Sequence, residues 1–164
     1  MSSESLENLI KKDRLQVFLL ECPCNIPFNF VSHHWFVVNK YGVLSRWEVL
    51  FRNSASKASI GHLNRDFYPP FQGIEILPFT STFFWKAKLI GCIEGNAESE
   101  VSKMIDFIEN SDKTYPYCHT YSLFGPNSNT YVQLVLNNFP TPQMSLSKNA
   151  IGRNFRIRPR SRSY

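Results

Sequence analysis

The sequence predicts an α+β domain, a mainly antiparallel sheet packed against two or three helices. Apolar runs of strand length, rich in Val, Phe and Trp, crowd residues 15–51 and are broken by prolines and polar turns. Later, Val101, Met104, Ile105 and Ile108, then Val132, Val135, Leu136 and Phe139, recur at helical spacing. A chain of 164 residues fits a single domain. Fourteen Phe, seven Tyr and three Trp give it a core that needs no metal or disulfide staple.

Residues 1–14 read as an N-terminal segment with room for a short helix, and residues 15–147 as the domain. The run Leu15 to Cys22 is a first strand, closed by Pro23 and Pro27, which cannot donate to a ladder. His34 to Val38 and Val43 to Phe51 flank Asn39-Lys40-Tyr41-Gly42, a polar turn, and form a hairpin. Arg52 to Gln72, rich in Ser and Asn and carrying Pro69-Pro70, reads as a long surface loop or weak edge structure. Gly73 to Leu77 and Phe83 to Ile93 are further strands, separated by Pro78 and a Thr-Ser-Thr turn. A helix capped at Asn96 spans residues near 97–110, with Glu98 and Glu100 at its positive end. A second starts near Asn127 or Ser128 and runs to about Asn138, where Pro140 and Pro142 prevent continuation.

The formal charge of +5 is concentrated in residues 148–164. That segment holds Lys148, Arg153, Arg156, Arg158, Arg160 and Arg162 and no acid, so setting these six aside leaves the remainder at −1. It reads as a solvated basic tail able to touch anionic surfaces, and an isolated basic end names no nucleic-acid partner. Phe155 alone stands between its arginines, so it lacks the repeated aromatic platforms of a base-stacking surface. The first residues lack the apolar run of an export signal, and no apolar stretch approaches the ~20 residues of a membrane helix. A cytoplasmic location with reduced thiols at Cys22, Cys24, Cys92 and Cys118 is therefore expected. Cys22-x-Cys24 lacks a second close ligand pair, so zinc is not expected.

Two groups of residues could carry chemistry. Gly125-Pro126-Asn127-Ser128-Asn129-Thr130 places short polar side chains at a helix start, where a cap satisfies first-turn amides and where the same amides favour an oxyanion. His33 and His34 open a strand and point to opposite faces, so only one can serve that helix start. Glu48 on the partner strand could orient an imidazole, while His62 and His119 fall in loops. Asn127, Asn129, Tyr117 and Tyr121 could instead contact a ligand.

The pieces His33-His34-Trp35-Phe36-Val37-Val38, Arg46-Trp47-Glu48-Val49, Tyr115-Pro116-Tyr117, Gly125 to Tyr131 and Ala150-Ile151-Gly152 resemble an uncharacterised bacterial family of unknown function. More distantly, their order is similar to the circularly permuted papain-like hydrolases of the NlpC-like and lecithin:retinol acyltransferase groups. Those chains place a histidine at a strand start and a nucleophile in Asn-Cys-x-x-Phe at a helix start, which Asn127-Ser128-Asn129-Thr130-Tyr131 resembles. The resemblance implies a permuted papain-like fold, Ser128 as nucleophile, His33 or His34 as base with His33 preferred, and Glu48 as orienter. It implies a hydrolase or acyltransferase acting on an amide or ester, with a small-molecule, peptide or lipid-like substrate and no cofactor. The alternative it leaves open is an inactive papain-like binding module.

Overall fold

A computed structural model describes residues 3–25, 27–52, 57–76 and 83–157. The elements are α1 (Ser3–Glu7), β1 (Leu15–Pro23), β2 (Ser32–Lys40), β3 (Val43–Val49), β4 (Leu63–Arg65), β5 (Gln72–Glu75), β6 (Phe84–Lys86), β7 (Lys88–Gly95), α2 (Glu100–Glu109), α3 (Ser111–Thr114) and α4 (Ser128–Asn138). Five strands form one antiparallel sheet in the order β4-β3-β2-β1-β7, and β5 pairs with β6 in a separate two-stranded sheet. The α+β class follows, with an antiparallel main sheet.

The β2–β3 hairpin closes on Tyr41 and Gly42, whose φ values of 54° and 95° give the two positive-φ positions that match strand twist. Asn39 Oδ1 accepts from the Gly42 amide at 2.7 Å and fixes the turn. Because side chains alternate across a strand, the sheet buries two separate apolar sets. On one face Val17, Leu19, Phe36, Val38 and Val49 pack against Met104, Ile105 and Ile108 of α2 and Tyr131, Val132 and Val135 of α4. On the other, Phe18, Leu20, Trp35 and Val37 pack against Leu6, Tyr68, Phe71 and Ile74. The five-stranded sheet is thus the middle layer, with α2 and α4 on one side and α1 with the segment carrying β5 on the other.

Several boundaries differ from the sequence reading. The expected strand Phe83 to Ile93 is broken at Ala87, and its halves β6 and β7 join different sheets. The segment Arg52 to Gln72, expected as a surface loop or weak edge structure, carries the short edge strand β4 but also buries Tyr68 and Phe71, because Trp35 and Arg46 reach up to bind its backbone. α2 starts at Glu100 after Ser99, since Asn96 uses its side chain on the Glu98 amide in a turn before the helix. Residues 148–157, expected in the solvated tail, pack on the body: Ala150 is buried and Phe155 meets the Tyr117 ring edge-on at 5.6 Å. The Pro78 and Thr-Ser-Thr turn, and Arg158, Arg160 and Arg162, lie outside the described residues. Among the described residues no helix is long and apolar enough to cross a membrane.

Candidate functional site

The Gly-Pro-Asn-Ser-Asn-Thr run forms the start of α4, and Asn127 is its N-cap. Asn127 Oδ1 accepts from the amides of Asn129 at 3.0 Å and Thr130 at 3.1 Å, while Thr130 Oγ1 accepts from the Asn127 amide at 3.3 Å. This reciprocal capping box occupies first-turn amides that would otherwise be free for an oxyanion. Asn127 Nδ2 donates to the carbonyls of Leu123 and Ile151. Thr130 Oγ1 also donates to Gly152 O at 2.8 Å. Gly152 has φ 90°, and a Cβ there would sit 2.5 Å from Asn127 Nδ2, so only glycine lets the returning chain come this close.

Asn129 reaches the sheet. Its Oδ1 meets His34 Nδ1 at 2.8 Å, and its Nδ2 donates to Ser32 O and Ile151 O, both at 2.9 Å. Those two donations fix the amide orientation, so Oδ1 can only accept and His34 Nδ1 carries the proton. His34 Nε2 is turned to Glu21 Oε2 at 3.2 Å, close enough for an ion pair and off-axis for a hydrogen bond. Glu21 in turn takes a bond from Lys88 Nζ at 2.9 Å. The His34 ring beside it, with Lys88, holds the Glu21 carboxyl at about 2, against the opposing pull of burial. His34 is fully buried and Asn129 nearly so, whereas Lys88 is largely exposed.

His33 lies across the sheet. Its Nε2 meets Glu48 Oε2 at 2.9 Å, and Arg46 Nη2 donates to the same oxygen at 2.8 Å. Arg46 is wholly buried, lies over the Trp35 ring at 4.3 Å, and donates through Nη1 to the carbonyls of Pro69 and Gln72. Trp35 Nε1 donates to Pro70 O at 3.0 Å. Burial lowers the His33 pKa, the larger effect beside an opposing one from Glu48. For Glu48, burial works against the charge, and Arg46 and His33 overcome it, leaving its pKa below the ordinary value.

The expected residues therefore divide into two centres. Glu48 meets His33, as the sequence reading placed it, but Ser128 does not share their face of the sheet. The helix start lies on the His34 side, because β2 residues alternate and α4 packs with Phe36 and Val38. The preference for His33 as partner of Ser128 is thereby corrected. Among the described residues Ser128, though buried, makes no side-chain hydrogen bond. Asn127 and Asn129, considered as ligand contacts, are buried and engaged within the chain. Tyr117 packs on Phe155 and Tyr115, and Tyr121 on Phe51 and His62, with burial pushing the Tyr121 hydroxyl to about 12. Glu21 was not singled out, although one acid inside the run Val17-Phe18-Leu19-Leu20-Glu21-Cys22 is the kind of buried polar group that signals a partner.

Cys22 stands opposite His33 in the β1–β2 register, and burial pushes its thiol to about 12 and that of Cys24 to about 11. Both are poor thiolates at neutral pH. Among the described residues no group of three His, Cys, Asp or Glu side chains is placed to hold a metal ion.

Acid is expected to destabilise the fold in two stages. His33 has a lowered folded pKa, so below about 6.5 the unfolded chain binds the proton more readily and stability falls. Glu48 and Glu21 are also lowered, so their contribution is complete above about 4.3 and is lost as pH falls further, for Glu21 down to about 2. Urea midpoints at about pH 7, 5.5 and 4 should fall in that order, and a midpoint that rises on acidification would contradict this account.

Fold and site together define an α+β protein whose helix start is locked to a buried strand histidine by an asparagine amide. Residues 15–155 match the family described as a protein of unknown function, DUF3750, and the chain belongs to that family. A search of the curated proteins and a search of the solved structures each find no match.

Proposed function

We propose that the chain is a catalytically silent binding module on a papain-like plan, in which Asn129 holds the place of a nucleophile. The contact of Asn129 Oδ1 with His34 Nδ1 at 2.8 Å carries this reading. In the hydrolases that the sequence resembles, a strand histidine meets the nucleophile at a helix start, and here an amide, which cannot attack a carbonyl, stands at that contact. Glu21, and not Glu48, takes the orienter's place behind His34. Three further observations favour silence over a Ser128 hydrolase or acyltransferase. Both His34 nitrogens face other groups, His33 lies beyond the sheet, and Asn127 caps the amides of Asn129 and Thr130. The exposed rings of Phe28, Phe30 and Phe51 lie at this end of the sheet and support an apolar ligand of peptide or lipid-like character.

Placing sulfur at the two helix-start positions tests the reading. Asn129→Cys should give a thiol with a pKa well below ~8.5 that alkylates quickly near neutral pH, and His34→Ala in that background should abolish the effect. Ser128→Cys should react slowly, with the four native cysteines assigned separately by peptide mapping. The unmodified chain should not take up a serine-directed fluorophosphonate. Labelling of Ser128 that His34→Ala removes would overturn the proposal in favour of a serine hydrolase, whatever the folding of the cysteine variants.

A further inference from the structure

A groove of about 1270 Å³ runs between α4, α3 and the returning segment 140–157, away from the His33–Glu48 centre. Its apolar lining includes Leu134, Met144 and Leu146, and its cations are Lys113, Arg153 and Arg156. No Asp or Glu lines it. Among the described residues none of the three cations meets a carboxylate, and Lys113 Nζ has only the amide oxygen of Asn110, at 3.4 Å. Arg153 Nη1 donates to Ser147 O at 2.5 Å, which anchors the guanidinium and leaves its remaining donors to face a ligand.

We propose that this groove binds an extended acidic peptide segment of a partner protein, with carboxylates meeting Lys113, Arg153 and Arg156 and apolar side chains resting on Leu134, Met144 and Leu146. Charge complementarity selects the occupant, since unpaired cations beside an apolar floor match alternating acidic and apolar side chains. The volume exceeds the 300–1,000 Å³ of ordinary small-molecule pockets, which suits a larger, extended occupant. Among the described residues the one aromatic lining residue, Phe155, already packs on Tyr117, so they offer no free platform for stacking bases. Lys113 on α3 stands apart from Arg153 and Arg156 on the returning segment, which suits carboxylates spaced along a strand better than one phosphate. This inference is independent of the assignment of Asn129.

Anisotropy of the full-length chain with a dye-labelled peptide of about eight residues alternating Glu and Leu, up to ~27 Å when extended, tests it. Saturable binding is expected, weakened about tenfold or more by Arg156→Glu and further by Arg153→Glu with Lys113→Glu. Replacing Glu by Gln in the peptide should abolish binding, and Leu by Ser should weaken it. Arg156 is exposed, so its reversal should leave the fold intact even if the Arg153 variant loses the Ser147 contact. Absence of binding, indifference to Arg156→Glu, or equal affinity for a Glu-Ser peptide or a single-stranded oligonucleotide would overturn the proposal.

Discussion

Arg46→Met is expected to lower stability by about 4 kcal/mol, because it leaves Glu48 as a charge buried without its main partner. The guanidinium touches Glu48, lies over Trp35 and binds the carbonyls of Pro69 and Gln72, so its loss also frees the segment that seals the second core. With ~2–4 °C of Tm per kcal/mol at this chain length, the midpoint should drop by roughly 8–16 °C. Arg46→Met with Glu48→Leu should recover part of that loss, since removing both charges lifts the desolvation penalty. His33 then loses its acceptor, so recovery should be incomplete. Thermal melts of the single and double variants decide it. A single variant within about 1 kcal/mol of the parent would show the buried pair to be dispensable.

Asn129→Ala is expected to cost about 3 kcal/mol, because buried His34 Nδ1 and the part-buried Ser32 O lose their partner and Ile151 O keeps only the bond from Asn127 Nδ2. The side chain joins α4, β2 and the returning segment, so hydrogen exchange should rise at residues 149–152 as well as in the first turn of α4. Ser128→Ala, one residue away, should change stability by less than about 1 kcal/mol, because that hydroxyl has no hydrogen-bond partner among the described residues. Equal losses at the two positions in denaturant titration would contradict this division of labour.

Periodic patterns made much of the architecture legible. Asn127 before an apolar helix stopped by Pro140 placed the start of α4 near Asn127 or Ser128 and its end at about Asn138, and the polar run Asn39-Lys40-Tyr41-Gly42 marked the hairpin. These are local effects, decided by neighbours along the chain through capping, φ preference and alternation. The candidate site depended on partners distant in sequence. Alternation showed that only one of His33 and His34 could face α4, but not which, since a shift of one residue in strand register exchanges the two faces. The register pairing Glu21 with His34 and Cys22 with His33 settled it, and it is set by which apolar set packs on the helices. The same distance hid the role of residues 148–157, whose composition is that of a tail. Their packing depends on Asn127, Asn129 and Thr130 supplying hydrogen bonds to Ile151 and Gly152 from more than 20 residues away. The sequence by itself determined the longer strands, the two longer helices and the polar helix start. Only the tertiary structure decided that this start meets an imidazole through an amide, because that contact requires strand register, helix rotation and a returning chain to agree in space.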